Sequence, residues 1–214
     1  MTLFEKMSEA VIRGSEEECK RLASDALQSD VDPIQAIQEG FAKGMETVGA
    51  NFECGKFFLP EMMMAAKAMN AGVKVLEPAM RAKGDLGGYK VGKILLATIQ
   101  GDQHDIGKNI VKLMMSTSGF DVIDLGKDVK VSRILKEAQD HKPDLIGLSA
   151  LMTTTMGYMP DLIKELTELG LRDQFKIMVG GAPVTEEWAQ KIGSDGYAKD
   201  AAAAVRMGKQ LVGK

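Results

Sequence analysis

Along residues 1–83 the apolar positions recur at steps of three and four, which predicts helices. Ile34, Ile37, Phe41, Met45, Val48 and Phe52 share one face, with Asp32 placed as N-cap and Pro33 at the first helical position. Before them, Ser15 and Glu18 have the Ser-x-x-Glu spacing of a capping box and open a helix toward Ser29. Residues 3–13 form an earlier helix. Pro60 opens the last, carried on Met63, Ala66, Val73 and Leu76, with Pro78 kinking or ending it. The expectation is a four-helix bundle over 1–83. Residues 84–91, with Gly84, Gly87 and Gly88, read as a linker.

From residue 92 the period changes. Short apolar runs at 93–98, 121–125, 145–149, 176–180 and 196–198 predict strands, separated by helical stretches near 106–118, 130–140, 156–169, 185–192 and 200–212. Strands alternating with helices predict a doubly wound, five-stranded parallel sheet over 92–214. The whole chain is therefore expected to be α/β, with a helical domain ahead of the sheet.

Composition narrows the classes. The chain has 214 residues and a formal net charge of −3, so no global electrostatic footprint for nucleic acid or an anionic membrane is expected. The first residues lack a signal-peptide apolar core, and no apolar run reaches the ~18 residues that span a bilayer. Cys19 and Cys54 stand apart with no CxxC, which argues against zinc or a disulfide framework and for reduced thiols in the cytoplasm. The 15 methionines suit irregular or re-packing cores.

The candidate chemistry lies between the first strand and the helix after it. Gly101, Asp102, Gln103, His104, Asp105, Ile106 and Gly107 place one of only 2 histidines on a strand-to-helix loop. Open α/β sheets bind ligands at that edge. There is no Gly-x-Gly-x-x-Gly and no Walker loop, and two carboxylates make a poor anion cradle. Asp102 is spaced to hold one imidazole nitrogen while the other faces a metal, a proton relay or a structural hydrogen bond. The third strand ends at Ser149 and the fourth at Gly180 and Gly181. In the doubly wound order both strands are expected to neighbour the first, so that small residues there leave a slot beside His104.

These residues carry a resemblance. Gly101 to Gly107, Ser149-Ala150-Leu151 and Gly180-Gly181 match the Asp-x-His-x-x-Gly, Ser-x-Leu and Gly-Gly signature of cobalamin-binding domains. The chain resembles the cobalamin module of methionine synthase and the small corrinoid proteins of methanogens and acetogens. Gln103 departs from the family's commoner apolar residue. The resemblance implies a flavodoxin-like (Rossmann-like) domain under a helical cap, with cobalamin or a related corrinoid as cofactor. His104 would be the lower ligand to cobalt, Asp102 would take its other ring proton, and Ser149 would hydrogen-bond behind Asp102. The nucleotide tail would lie along Ser149, Leu151, Thr153, Gly180, Gly181 and Ala182, with Tyr197 and Ala201 as its last contacts. Phe52 and Leu59, helped by Met62 or Met63, would cover the upper face.

The function this resemblance implies is methyl carriage in anaerobic one-carbon metabolism. A donor-specific methyltransferase would load the cobalt from a methylamine, quaternary amine, methanol or methoxylated aromatic. A methylcorrinoid:acceptor methyltransferase would pass the methyl to tetrahydrofolate or a thiol coenzyme, and a reductive activase would restore oxidised cobalt. The rivals are a cobalamin-dependent sensor, the small subunit of a corrinoid mutase, and a flavodoxin-like electron carrier. The last is disfavoured by the missing phosphate loop and the scarcity of aromatics.

Overall fold

The computed structural model describes residues 1–82 and 90–213, so most of the linker expected over 84–91 lies outside the described residues. The chain divides into two compact units, Met1–Lys90 with Thr117–Gly119, and Val91–Ser116 with Phe120–Lys214.

The first unit is helical: α1 (Leu3–Ile12), α2 (Glu16–Gln28), α3 (Pro33–Gln35, a π-helical Ala36–Phe41, then Ala42–Glu53) and α4 (Leu59–Ala82). Asp32 caps α3 through the Gln35 N–H at 3.2 Å. The reciprocal capping box is at α1, where Thr2 and Glu5 serve each other's backbone N–H groups. Ser15 accepts the Glu18 N–H at 3.4 Å, but the Glu18 carboxylate is drawn away to Arg21. That box is therefore only half formed.

Phe41, Met7, Leu22, Ile37, Leu76 and Met80 are sealed in the core. Helices approach closely where glycine allows: a Cβ on Gly72 would lie 2.4 Å from the Phe41 ring, and one on Gly44 would lie 2.5 Å from the Ser8 carbonyl oxygen. Pro78 does not end α4, which continues to Ala82. The buried face of α4 includes Met62, Ala65, Ala66, Met69, Val73 and Leu76. Met63, expected on that face, is exposed instead. Cys19 is buried, which pushes its thiol up to about 12 with help from the Glu18 charge. It packs as a small apolar group.

The second unit is a parallel sheet of β1 (Gly92–Thr98), β2 (Phe120–Asp124), β3 (Leu145–Ser149), β4 (Lys176–Gly180) and β5 (Gly196–Ala198). Between and after the strands run α5 (Ile106–Thr117), α6 (Val131–His141), α7 (Thr153–Met156), α8 (Met159–Glu168), α9 (Glu186–Lys191) and α10 (Ala201–Leu211). β1 shows why both faces are covered. Leu95 and Ala97 point into a core with Ile134, Leu162 and Ile177, while Ile94 and Leu96 point into another with Met115, Met178 and Ala204. Strands buried on both faces read as continuous apolar runs, as these do.

The strand order is β2-β1-β3-β4-β5. The third strand neighbours the first, as expected; the fourth does not, because β3 lies between them. The order reverses at β1, so the ligand crevice of this topology opens between the carboxyl ends of β1 and β3.

Candidate functional site

The register aligns four residues along the carboxyl edge: Thr98 beside Ser149, Ser149 beside Gly180, and Gly180 beside Ala198. The loop carrying Gly101 to Asp105 leaves from β1 at this edge. Gly101 has φ +81°, a left-handed conformation that suits glycine. The chain then doubles back, and the Thr98 hydroxyl donates to the His104 carbonyl at 3.1 Å.

Asp102 is the fixed point of the loop. It is wholly buried, whereas the His104 side chain is half exposed. Its Oδ1 lies 2.8 Å from His104 Nδ1 and accepts the His104 backbone N–H at 3.1 Å. Its Oδ2 accepts the Thr155 hydroxyl at 2.6 Å and the N–H groups of Leu151 and Met152 at 2.8 and 3.2 Å. Burial alone would raise the Asp102 pKa; the hydrogen bonds from Thr155, Leu151 and His104 outweigh it and hold the carboxyl well below the usual range. Asp102 is therefore an anion, and an anion next to Nδ1 places the imidazole proton there. That leaves the Nε2 lone pair for a ligand.

The hydroxyl behind Asp102 is that of Thr155, in the single turn of α7, and not that of Ser149. Ser149 ends β3, and its carbonyl accepts the Ile99 N–H at 3.0 Å. Thr98, Thr155 and Asp128 were not anticipated as site residues. Asp128 accepts the Gly101 N–H at 2.7 Å and the Gln103 side-chain amide at 3.0 Å.

Other expected residues fall around this edge. Ile106, Gly107, Leu151, Met152 and Thr153 are exposed, and a Cβ on Gly107 would meet nothing within 4 Å. Gly180 ends β4 and Gly181 follows it, where backbone packs too closely for a side chain. A Cβ on Gly180 would lie 2.7 Å from the Ala198 carbonyl oxygen, and one on Gly181, at φ +118°, would lie 1.8 Å from that of Ala150. Neighbouring backbone occupies the place of their side chains. Ala182 is exposed, Tyr197 and Ala201 are half-buried, and Asp200 caps α10 through the Ala203 N–H at 2.7 Å. Phe52, Leu59 and Met63 belong to the helical unit, where Phe52 is half-buried and the other two are exposed.

What could bind at His104 follows from its surroundings. Among the described residues no group of three or more His, Cys, Asp or Glu is gathered to hold a metal ion. A single free imidazole nitrogen cannot retain a bare ion against water. It suits a metal that brings its remaining ligands with it, as in a macrocycle, and a corrinoid meets that requirement.

Comparison with known proteins points the same way. The B12 binding domain family matches residues 92–206, and a second B12 binding domain family matches residues 3–77. A corrinoid protein from Desulfitobacterium hafniense (strain Y51) is 43% identical over 214 residues, covering 100% of this chain and 99% of that protein. Dimethylamine corrinoid protein 1 of Methanosarcina mazei is 45% identical over 217 residues, covering 99% and 97%. The methanol:cobalamin methyltransferase complex of Methanosarcina barkeri contains a chain that superposes with a TM-score of 0.83 at 29% identity, over 99% of this chain and 80% of that one. No helix among the described residues is long and apolar enough to cross a membrane.

Proposed function

Because this chain belongs to the family of B12-binding corrinoid proteins, we propose that it carries a methyl group on a corrinoid between two methyltransferases, with His104 as the cobalt's lower ligand. The donor-side enzyme takes the methyl from a methylated amine or from methanol, the donors named for its relatives. The acceptor-side enzyme delivers it to tetrahydrofolate or a thiol coenzyme, and a reductive activase returns oxidised cofactor to the cycle. The observation that carries this reading is the His104 Nδ1 to Asp102 Oδ1 contact at 2.8 Å, with Nε2 facing away from that anion.

The bound corrinoid supplies the cobalt that takes up and hands on the methyl group. The chain supplies the rest. Asp102 keeps the proton on His104 Nδ1 and so keeps Nε2 available as a donor. Thr155 and the Leu151 and Met152 N–H groups fix the Asp102 carboxylate in place, so the imidazole is held in one orientation. Ser149, Leu151, Thr153, Gly180, Gly181, Ala182, Tyr197 and Ala201 would hold the corrinoid's tail.

The test is electron paramagnetic resonance of the Co(II) form, reconstituted from hydroxocobalamin, with and without nitrogen-15 histidine. The expected result is superhyperfine structure that changes with the label and is lost in His104→Ala. A spectrum indifferent to the label overturns the assignment. Donor choice is read separately, from methyl-cobalt absorbance after mixing the reduced protein with dimethylamine-specific or methanol-specific methyltransferase and its substrate.

A further inference from the structure

The residues on either side of Asp102 are held from a different direction than its carboxylate. Past the end of β1, Ile99 pairs in parallel with Val129, and the Val129 N–H donates to the Thr98 carbonyl at 3.0 Å. The segment between β2 and α6 thus runs alongside the start of the histidine loop. Asp128, within that segment, reaches three successive loop residues. Its N–H donates to the Asp102 carbonyl at 2.9 Å, its Oδ1 accepts the Gly101 N–H at 2.7 Å, and its Oδ2 accepts from Gln103 Nε2 at 3.0 Å.

Asp128 itself sits at φ 52°, in the left-handed region. Few residues other than glycine tolerate that backbone, and of these only Asp and Asn also bring a side-chain oxygen to the spot. Gly101, at φ +81°, has no side chain to restrain it, and its N–H is held by Asp128. Gln103 stands where the family's commoner residue is apolar, and its amide is the second arm of the same contact.

We propose that Asp128, with Gln103 as its partner, is a positioning residue for His104: it clamps the backbone of Gly101 and Asp102 and the Gln103 side chain, and thereby sets where the imidazole stands. This rests on His104 being the ligand to cobalt. Loss of the clamp leaves the Asp102–His104 bond intact but lets the segment that carries it move, so coordination weakens without loss of the ligand. Partners that orient a metal ligand typically change affinity by about 10–100-fold; a clamp acting through the loop backbone is expected near the lower figure.

Asp128→Gly keeps the left-handed backbone and removes both acceptor oxygens. Asp128→Asn keeps the backbone and the acceptor for Gly101, and the Gln103 amide can turn to meet it. Two readouts apply. In the cofactor-free protein, hydrogen exchange at the Gly101 amide should quicken at least tenfold in Asp128→Gly and stay near wild type in Asp128→Asn. In protein reconstituted with hydroxocobalamin and reduced to Co(II), the histidine-coordinated fraction and the cobalamin affinity should fall in Asp128→Gly, the affinity about tenfold, and recover in Asp128→Asn. A wild-type signal that ignores the histidine label overturns the His104 assignment and this inference with it. A label-sensitive wild type, with Asp128→Gly indistinguishable from it in both readouts, overturns the inference alone.

Discussion

Asp102 and Asp124 stand at the carboxyl ends of neighbouring strands, and their carboxylates are held by opposite means. Asp124, the last residue of β2, faces cations: Lys108 at 2.6 Å and Lys112 at 3.0 Å, with the Gly126 N–H added at 3.0 Å. Lys108 is almost fully buried, so the pair is a neutralised strut between α5 and β2. Asp102 is more deeply buried, yet every partner in its cage other than the imidazole is a neutral N–H or O–H. Burial raises the pKa of both, and in both the partners overcome it and leave the carboxyl depressed. The lesson is about balance of charge. Asp124's charge is consumed where it stands, whereas Asp102's is left for the His104 imidazole. Burial of a carboxylate does not distinguish the functional residue from the structural one. The sign of its partners does.

The contrast breaks most visibly on stability. Asp124→Ala strands the buried Lys108 ammonium, and breaking such a pair typically costs about 3–5 kcal/mol. Urea unfolding should show that loss, while cobalamin affinity of the folded protein stays within about twofold. The double variant Lys108→Met with Asp124→Leu should recover most of the stability, because no charge is left buried. A loss of affinity as large as the loss of stability would place Asp124 in the site and erase the distinction.

Asp102→Asn should invert that pattern. Its main effect is on the cofactor, about 10–100-fold in cobalamin affinity or methyl-transfer rate, because the imidazole loses the anion that fixes its tautomer. Equilibrium dialysis and single-turnover methylation measure the two quantities. A variant with unchanged affinity and unchanged rate shows that the anion beside Nδ1 is not needed.

A smaller effect separates the two candidate hydroxyls. Thr155→Val removes a hydrogen bond to a charged group, an interaction worth about 1.5–3 kcal/mol, and part of that should appear as weaker cobalamin binding. Ser149→Ala removes no bond to Asp102 and should cost less in the same titration, its loss confined to the tail contact. The reverse ranking would return Ser149 to the relay.

Why the residues supported one hydroxyl and the structure another bears on what a sequence can show. All five strands were legible to within a residue or so, because a strand buried on both faces is a short apolar run with sharp ends. The loop and the Asp102–His104 pair were legible because their spacing is local. Contacts across the sheet were not. Thr153, Thr154 and Thr155 are chemically identical in sequence, and only the single turn of α7 selects the last of them. Strand order is absent from strand pattern, so β4 could be set beside β1 although β3 intervenes. In α4 the run Met62-Met63-Met64 hides the helical phase, and alanines widen the buried stripe until the spacing of large residues no longer fixes it. Asp128 gave only the faint signal of an Asp in a Gly-Lys-Asp turn, tolerant of left-handed backbone.

The smallest expected effect is on the acid side of the stability curve, and it tests directly whether Asp102 stays ionised when folded. Its carboxyl is depressed in the native chain and ordinary in the unfolded one, so the unfolded state binds the proton first as pH falls. Its contribution is therefore complete above the unfolded value, near 4, and drains away below it as the pH approaches the folded value. At pH 4 an unfolded Asp is roughly half protonated, so this one group adds about 0.6 kcal/mol per pH unit to the slope of stability against pH. Asp124 is depressed too and adds its own share, which is why the comparison needs single variants. Asp102→Asn should flatten the slope between about pH 3 and 5 by that amount while leaving it unchanged above pH 6, as read from urea unfolding at closely spaced pH values. A slope identical to wild type would mean that Asp102 holds its proton about as tightly in the folded loop as in the unfolded chain. The neutral cage would then not be stabilising an anion, and the contrast with Asp124 would lose its physical basis.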